Sequence, residues 1–172
     1  MQKIVLVGYM AVGKSTVGKI LAENRQIKWV DLDKIIESNT KLSVSEIFQE
    51  KGEIYFRKQE HLEFLKLIKA EEDLVISTGG GTPCYANNHL LLNGNNVVSF
   101  YLSASIDAIY YRLKEHTAER PLVANQSEEE LKEFIAKNLF DRSYYYHQAT
   151  FKINTDGKTP EAIVKEIEAL LN

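Results

Sequence analysis

The chain has 172 residues, of which 44% are hydrophobic and 26% are charged, and it carries a formal net charge of −3. This composition predicts one soluble domain with a sizeable core, and the slight excess of acidic groups argues against a nucleic acid or an anionic membrane as the main partner. The single cysteine excludes an internal disulfide and a cysteine-based zinc site, which favours the cytoplasm, and no apolar stretch approaches the about 20 residues that a membrane span requires.

Short apolar segments rich in β-branched residues alternate with helical patterns along the chain. They lie at residues 4–7, 28–32, 74–77, 97–102 and 150–153. Alternation of this kind is typical of a parallel α/β sheet.

Capping residues mark where several of the intervening helices begin. Ser43 with Glu46 and Ser127 with Glu130 have the spacing of a capping box. Thr159 is a suitable N-cap before Pro160, a residue that favours the first helical position. Gly52 is predicted to separate two helices.

Residues 8–16, GYMAVGKST, follow the first predicted strand and precede a helical pattern. They satisfy the pattern G-x-x-x-x-G-K-[ST], in which backbone N–H groups wrap a phosphate chain. Lys14 is then expected to reach the β- and γ-phosphates, and the Ser15 hydroxyl to ligate Mg²⁺. Thr16 is either a ligand of the α-phosphate or an ordinary helical residue. The segment therefore predicts a nucleotide-phosphate site.

Two carboxylates, Asp31 and Asp33, close the second predicted strand. A spacing of two would place both on one face of a strand, at the edge of the sheet where ligands bind. Two neighbouring like charges need a metal ion, a cation or a proton to offset them. One is therefore interpreted as a Mg²⁺ ligand through water and the other as a contact to a substrate hydroxyl; capping of the next helix is the alternative for either.

Three consecutive glycines, Gly79, Gly80 and Gly81, follow the third predicted strand. Such a run is costly in backbone entropy, and a close approach of the chain to a ligand would explain it. A plain tight turn is the alternative.

Residues 115–127, EHTAERPLVANQS, hold neither a helical nor a strand period. Pro121 stops any helix that would cross the segment. A loop of about a dozen residues in a compact domain is more often a lid or a binding loop than a connector.

Together these motifs resemble those of the shikimate kinase family over nearly the whole chain. The P-loop is followed by D-x-D at residues 31–33, F-R-x-x-E at 56–60, G-G-G at 79–81, R-P-L at 120–122 and R-x-x-Y-x-x-x-A at 142–149. The resemblance implies a three-layer α/β/α P-loop NTPase fold with a five-stranded parallel sheet in the order 2-3-1-4-5. It also implies a single domain over residues 1–172, with a substrate-binding segment at about 33–61 and a lid at about 113–126.

The implied activity is transfer of the γ-phosphoryl group of ATP to the 3-hydroxyl of shikimate, a step towards chorismate and the aromatic amino acids. Shikimate carries one carboxylate and three hydroxyls. Arg57 and Arg142 are therefore expected to grip the carboxylate, because planar guanidinium groups match it in a bidentate way. Glu60 is placed to hold Arg57, and Asp33 is expected to accept hydrogen bonds from ring hydroxyls and the proton of the attacking one.

The resemblance also assigns the remaining site residues. Lys14, Asp33 and Arg120 are the predicted catalytic residues, with Arg120 closing over the phosphates. The predicted partners are ATP and shikimate, the predicted cofactor is Mg²⁺, and the chain is expected to be a cytoplasmic monomer. The predicted ligands are, for ATP, Ala11, Val12, Gly13, Lys14, Ser15, Thr16, Arg112, Arg120 and Pro160; for shikimate, Asp33, Arg57, Gly79, Gly80, Gly81 and Arg142; and for Mg²⁺, Ser15 and, through water, Asp31.

Two local features stand apart from these motifs. Ala11 occupies a position where the family often has glycine, which affects only local loop geometry. The three consecutive tyrosines at residues 144–146 would point in different directions on a helix, so at most Tyr145 packs beneath the substrate loop.

Two other functions are compatible with the P-loop. Gluconate kinases and nucleoside monophosphate kinases share the P-loop sheet, but Arg57, the three glycines and Arg142 favour a carboxylate and ring-hydroxyl site over a nucleotide cradle. A non-catalytic ATP-binding regulator of the same fold would be expected to lack Lys14, Asp33 or Arg120, and all three are present.

Overall fold

The computed structural model describes residues 1–116 and 125–172. Within them, five strands form one parallel sheet in the order β2-β3-β1-β4-β5. The predicted fold class and strand order are therefore confirmed. The strands are β1 (Lys3–Val7), β2 (Lys28–Asp31), β3 (Leu74–Ser77), β4 (Val97–Ser103) and β5 (Phe151–Asn154).

Helices connect the strands and cover the sheet. Two short 3₁₀ helices, Thr82–Cys84 and Asn88–Leu92, follow β3. The α-helices are α1 (Lys14–Arg25), α2 (Leu32–Thr40), α3 (Val44–Glu50), α4 (Glu53–Lys69), α5 (Ile106–Glu115), α6 (Glu128–Tyr146) and α7 (Pro160–Leu171).

The central strand β1 is fully buried, and its alternate side chains face two separate cores. Ile4 and Leu6 belong to a core shared with α1, α5, α6 and α7. Val5 and Val7 belong to a core shared with α2, α3 and α4. Burial on both faces explains why the strand reads as a continuous apolar run, and it establishes three layers.

The predicted helix starts are confirmed in detail. Both reciprocal bonds of a capping box are present at Ser43 and at Ser127. The Thr159 side chain accepts a hydrogen bond from the amide of Ala162 ahead of Pro160. Gly52 separates α3 from α4 with φ at 84°, a left-handed value that favours glycine.

The prediction that Asp31 and Asp33 share one face of a strand is wrong. β2 ends at Asp31, whose carboxylate caps α2 by accepting a hydrogen bond from the amide of Lys34. Asp33 therefore lies in the first turn of α2. The capping alternative holds for Asp31, because an aspartate beside unpaired helical amides satisfies one of them.

The predicted substrate-binding segment, 33–61, covers most of α2, all of α3 and the first half of α4. The first three residues of the predicted lid, 113–115, belong to α5, and Leu113 is buried in the core. Arg120 and the R-P-L motif lie outside the described residues. In the part of the chain that the structure describes, no helix is both long and apolar enough to cross a membrane.

Candidate active site

The turn between β1 and α1 has a backbone that few residue types can adopt. Gly8 and Gly13 have φ values of 147° and 96°, and Ala11 has a φ of 64°. A methyl group at position 8 would also lie 2.5 Å from the carbonyl oxygen of Leu102. The left-handed conformation of Ala11 explains why glycine suits its position. Turns of this kind, at a helix N-terminus, present backbone N–H groups to anions.

Two cations lie against the carbonyl groups of this turn. The buried Lys14 ammonium donates hydrogen bonds to the carbonyls of Gly8 and Tyr9, at 2.7 and 2.8 Å. Arg112 Nη1 donates to the carbonyl of Ala11 at 3.3 Å. Pro160 comes after β5, as the first residue of α7, and α7 packs against α1. The structure thus brings Lys14 and Arg112 to the segment that holds Ala11, Val12, Gly13, Ser15 and Thr16.

The predicted metal ligands are adjacent. The Ser15 hydroxyl donates to Asp31 Oδ2 at 2.8 Å. A hydroxyl and a carboxylate are the hard oxygen ligands that Mg²⁺ prefers, and Mg²⁺ usually keeps several waters in place of a cage of protein groups. Within residues 1–116 and 125–172, no group of three acidic, histidine or cysteine side chains could hold a metal by itself. The pair therefore fits Mg²⁺ bound through one hydroxyl and water.

Each of the three consecutive glycines lies close to a polar side chain. A methyl group at position 79 would be 3.0 Å from Asp33 Oδ1 and 3.2 Å from Glu60 Oε2. The glycines of this run do not have positive φ values. Close approach of side chains, and not an unusual turn conformation, therefore accounts for Gly79.

The other two glycines make room for the two predicted arginines. A methyl group at position 80 would lie 3.4 Å from Arg142 Nη1. At position 81 it would lie 2.7 Å from Arg57 Nη2. The two guanidinium groups thus lie against consecutive backbone units.

Arg57 is held on several sides. Its Nη1 donates to the fully buried Glu60 at 2.8 Å, and its Nε lies 3.5 Å from a carboxylate oxygen of Glu53. The ring of Tyr85 covers the guanidinium, with its centroid 3.9 Å from Cζ. Such cation–π contacts hold a guanidinium plane in a fixed orientation. The predicted role of Glu60 agrees with this geometry, whereas sequence reasoning missed Tyr85.

Arg142 packs against aromatic side chains. Its Cζ lies 5.5 Å from the ring centroid of Tyr9. The buried Tyr146 hydroxyl donates to the carbonyl of Gly80, and burial raises the pKa of Tyr146 well above its usual value. The Tyr145 ring contacts His89, whereas Tyr146 supports the glycine segment. Successive residues of a helix point in different directions, and α6 turns Tyr146 inward.

The Asp33 carboxylate has one shielded oxygen and a raised pKa. Its Oδ1 is shielded from solvent and makes no hydrogen bond within the described residues. Burial raises its pKa from 3.8 to about 6, with further contributions from Asp31 and Glu60, while Lys14 acts in the opposite direction. A carboxylate with a pKa near neutrality is suited to accept a proton from a hydroxyl.

The Cys84 thiol feels the charges of both arginines. Burial raises the pKa of its thiol to about 11, although the charges of Arg142 and Arg57 both lower it. The thiol is therefore neutral at pH 7 and adds no negative charge that would compete with an anionic ligand.

Comparison with known proteins identifies relatives along the whole chain. The family model described as shikimate kinase matches residues 10–172. A shikimate kinase from Flavobacterium johnsoniae is 54% identical over 171 residues, or 99% of this chain and 99% of that protein. Among solved structures, shikimate kinase from Bacteroides thetaiotaomicron is 33% identical with a TM-score of 0.91, over 99% of this chain and 98% of that one. Shikimate kinase from Acinetobacter baumannii, solved in complex with shikimate, is 30% identical with a TM-score of 0.88, over 99% and 93%.

Proposed function

The chain belongs to the shikimate kinase family, and we propose that it transfers the γ-phosphoryl group of ATP to the 3-hydroxyl of shikimate with the residues described above. The observation that carries this proposal is the placement of Arg57 and Arg142 beside Gly81 and Gly80. A small hydroxylated acid needs such a pair of cations next to a proton acceptor. The reaction is a step towards chorismate and the aromatic amino acids.

The turn between β1 and α1 binds the phosphates of ATP. Backbone N–H groups of residues 11–16 surround the β-phosphate, at the positive end of the α1 dipole. Lys14 exchanges the carbonyls of Gly8 and Tyr9 for the β- and γ-phosphate oxygens. Thr16 contacts the α-phosphate, and Arg112 and Pro160 flank the nucleoside.

Ser15 and Asp31 would hold Mg²⁺, Ser15 directly and Asp31 through water. The adjacency of their side-chain oxygens supports this assignment. When bound, the ion neutralises charge on the β- and γ-phosphates.

Arg57 and Arg142 bind the shikimate carboxylate, and Asp33 receives the acceptor hydroxyl. Fixing the acceptor at both ends orients the 3-hydroxyl towards the γ-phosphate, which is the main contribution a protein makes to phosphoryl transfer. Asp33 Oδ1, which is shielded and unpaired within the described residues, takes the hydroxyl proton. Gly79, Gly80 and Gly81 line this pocket with backbone alone.

Arg120 completes the proposed catalytic set, although it lies outside the described residues. As part of a lid in the residues that follow α5, it stabilises charge on the transferred group, while closure excludes water. We assign the whole chain, residues 1–172, to one domain that acts as a cytoplasmic monomer. Both halves of the site come from one chain, and a single cysteine suits a reducing compartment.

The substrate is tested by measuring ADP formation by the purified protein with MgATP and a panel of shikimate, gluconate, AMP and CMP. Turnover that depends on shikimate supports the proposal. Turnover with gluconate or a nucleoside monophosphate, but not with shikimate, would contradict it. ATP binding without turnover of any acceptor would favour a regulator.

A further inference from the structure

A chain of buried hydrogen bonds leads from Arg57 into the protein interior. Glu60 is fully buried, and its two carboxylate oxygens have different partners. Oε1 accepts a hydrogen bond from Arg57 Nη1 at 2.8 Å. Oε2 accepts one from the hydroxyl of Thr82, also at 2.8 Å. Thr82 is itself fully buried, so its hydroxyl bond is shielded from water.

The chain continues beyond Thr82 to a second helix. The carbonyl of Thr82 accepts a hydrogen bond from Asn88 Nδ2 at 2.9 Å. Because the amide nitrogen is used in this way, the Asn88 oxygen faces His61 Nδ1, which donates to it at 2.7 Å. Asn88 is fully buried, and His61 directly follows Glu60 on α4. The network therefore leaves α4 at Glu60, passes through Thr82 and Asn88, and returns to α4 at His61.

This network fixes a charged group, the Glu60 carboxylate, that would otherwise be costly to bury. A buried carboxylate needs a partner for each oxygen, and loss of one partner leaves the oxygen that it contacted unsatisfied. A carboxylate that rotated to recover a partner would withdraw Oε1 from Arg57. The guanidinium would then lose the contact that orients it towards the ligand.

The backbone of Gly79 brings Glu60 Oε2 close to a second residue of the site, Asp33. A methyl group there would contact Glu60 Oε2, Thr82 Oγ1 and Asp33 Oδ1, at 3.2, 3.1 and 3.0 Å. The Thr82 hydroxyl therefore lies at the junction of the carboxylate-binding and hydroxyl-binding parts of the site.

We infer that Thr82 and Asn88 are positioning residues for the acceptor substrate, which act by holding Glu60 and, through it, Arg57. This inference rests on the proposed function, because it assigns the carboxylate of shikimate to Arg57. Neither residue needs to contact shikimate. The network is expected to act on acceptor binding and not on the phosphate-binding turn, because none of its four hydrogen bonds involves a residue of that turn.

The test compares Thr82→Val with Thr82→Ser in steady-state kinetics. Valine keeps the shape of threonine and removes the hydroxyl, whereas serine keeps the hydroxyl. We expect Thr82→Val to raise the KM for shikimate at least about tenfold, with the KM for ATP within about twofold of the wild-type value. In Thr82→Ser, both KM values should stay close to those of the wild type. Asn88→Leu is expected to act in the same direction, and Thr82→Ala replaces the valine variant if that variant does not fold.

Ser99→Ala is the matched control, because it removes another fully buried hydroxyl, on β4 and remote from the glycine segment. Its KM for shikimate should equal that of the wild type. A KM for shikimate that changes less than about twofold in Thr82→Val, or that rises together with the KM for ATP, would overturn the inference.

A crystal structure of Thr82→Val provides a readout that does not depend on turnover. We expect Glu60 Oε1 and Arg57 Nη1 to separate beyond about 3.5 Å, the limit of a hydrogen bond. Retention of the 2.8 Å contact would overturn the positioning role. If the wild-type protein does not phosphorylate shikimate, the proposed function fails, and this structure still decides whether Thr82 positions Arg57.

Discussion

The guanidinium of Arg57 occupies the space that a side chain at residue 81 would fill. A methyl group on Gly81 would lie 2.7 Å from Nη2 and 2.9 Å from Nη1. Contacts this short cannot form, so a side chain at residue 81 would require the Arg57 guanidinium to move from its position against the glycine segment. This relationship connects a motif in the loop after β3 with a motif in α4.

Gly81→Ala is therefore expected to displace Arg57 and weaken acceptor binding. We predict a rise in the KM for shikimate of about tenfold to a hundredfold, because a displacement near 1 Å can have an effect of that size. The KM for ATP should change little. Gly94→Ala is the matched control, since a methyl group there would meet its nearest neighbour at 3.8 Å. Equal kinetics for the two variants would contradict the prediction.

The identity of the cation at residue 57 should matter as well as its charge. Lysine cannot reproduce a bidentate guanidinium contact or the stacking on Tyr85. Arg57→Lys is predicted to raise the KM for shikimate at least about tenfold and Arg57→Ala still further, with a smaller change in kcat. Arg25→Lys, in the last turn of α1, provides the control. Shikimate kinetics in Arg57→Lys that match those of Arg25→Lys would show that charge alone suffices.

Lys14 should affect turnover more than acceptor binding. Its ammonium lies on the phosphate-binding turn, where it is proposed to stabilise charge that grows on the transferred group. Lys14→Ala is predicted to lower kcat at least about a hundredfold while the KM for shikimate stays within a few-fold. Lys19→Ala, on the exposed side of the same helix, should leave kcat near the wild-type value. A change confined to the KM for shikimate would contradict this role.

The ionisation of Asp33 should appear in the pH dependence of catalysis. Its pKa is raised to about 6, mainly by burial. The ionised form accepts the proton, so kcat/KM for shikimate is predicted to fall as the pH drops through about 6 in the free enzyme. Asp33→Asn should lose most activity, and its remaining kcat/KM should no longer fall as the pH drops through about 6. Wild-type activity that stays constant down to pH 4 would contradict a proton-accepting role.

The same carboxylate should affect stability with the opposite dependence on pH. The pKa of Asp33 is higher in the folded chain than the ordinary 3.8, so its contribution to stability is fully present below 3.8 and is lost as the pH rises through about 6. Asp33→Asn, measured by thermal unfolding without nucleotide, is predicted to raise Tm relative to wild type near about pH 8. The difference should shrink at about pH 4. A lower Tm for the variant at the higher pH would show that burial of ionised Asp33 does not destabilise the fold.

Local patterns were sufficient to predict much of this architecture. Apolar strands separated by capped helices gave the parallel sheet, because both faces of β1 are buried and Ser43, Ser127 and Thr159 satisfy free helical amides. The phosphate-binding turn could be predicted because its glycines and Lys14 act within a few residues of one another. The strand order came from the family resemblance, since short strands of similar composition do not specify their neighbours.

Contacts between distant segments could not be predicted in the same way. Three contacts in the site join residues more than twenty positions apart. They are the stacking of Tyr85 on Arg57 and the hydrogen bonds from Tyr146 to Gly80 and from Thr82 to Glu60. No periodicity links such pairs, and which of three tyrosines faces inward depends on the rotation of α6. Asp33 was assigned to a strand because the pattern around it does not reveal that the Asp31 carboxylate starts a helix.

The most direct test of the account is a crystal structure of the protein with shikimate and MgADP. We predict that the shikimate carboxylate lies within hydrogen-bonding distance of both Arg57 and Arg142, with a ring hydroxyl at Asp33 and the ADP phosphates on the turn that contains Lys14. Shikimate bound away from Arg57, or absent at saturating concentration, would contradict it.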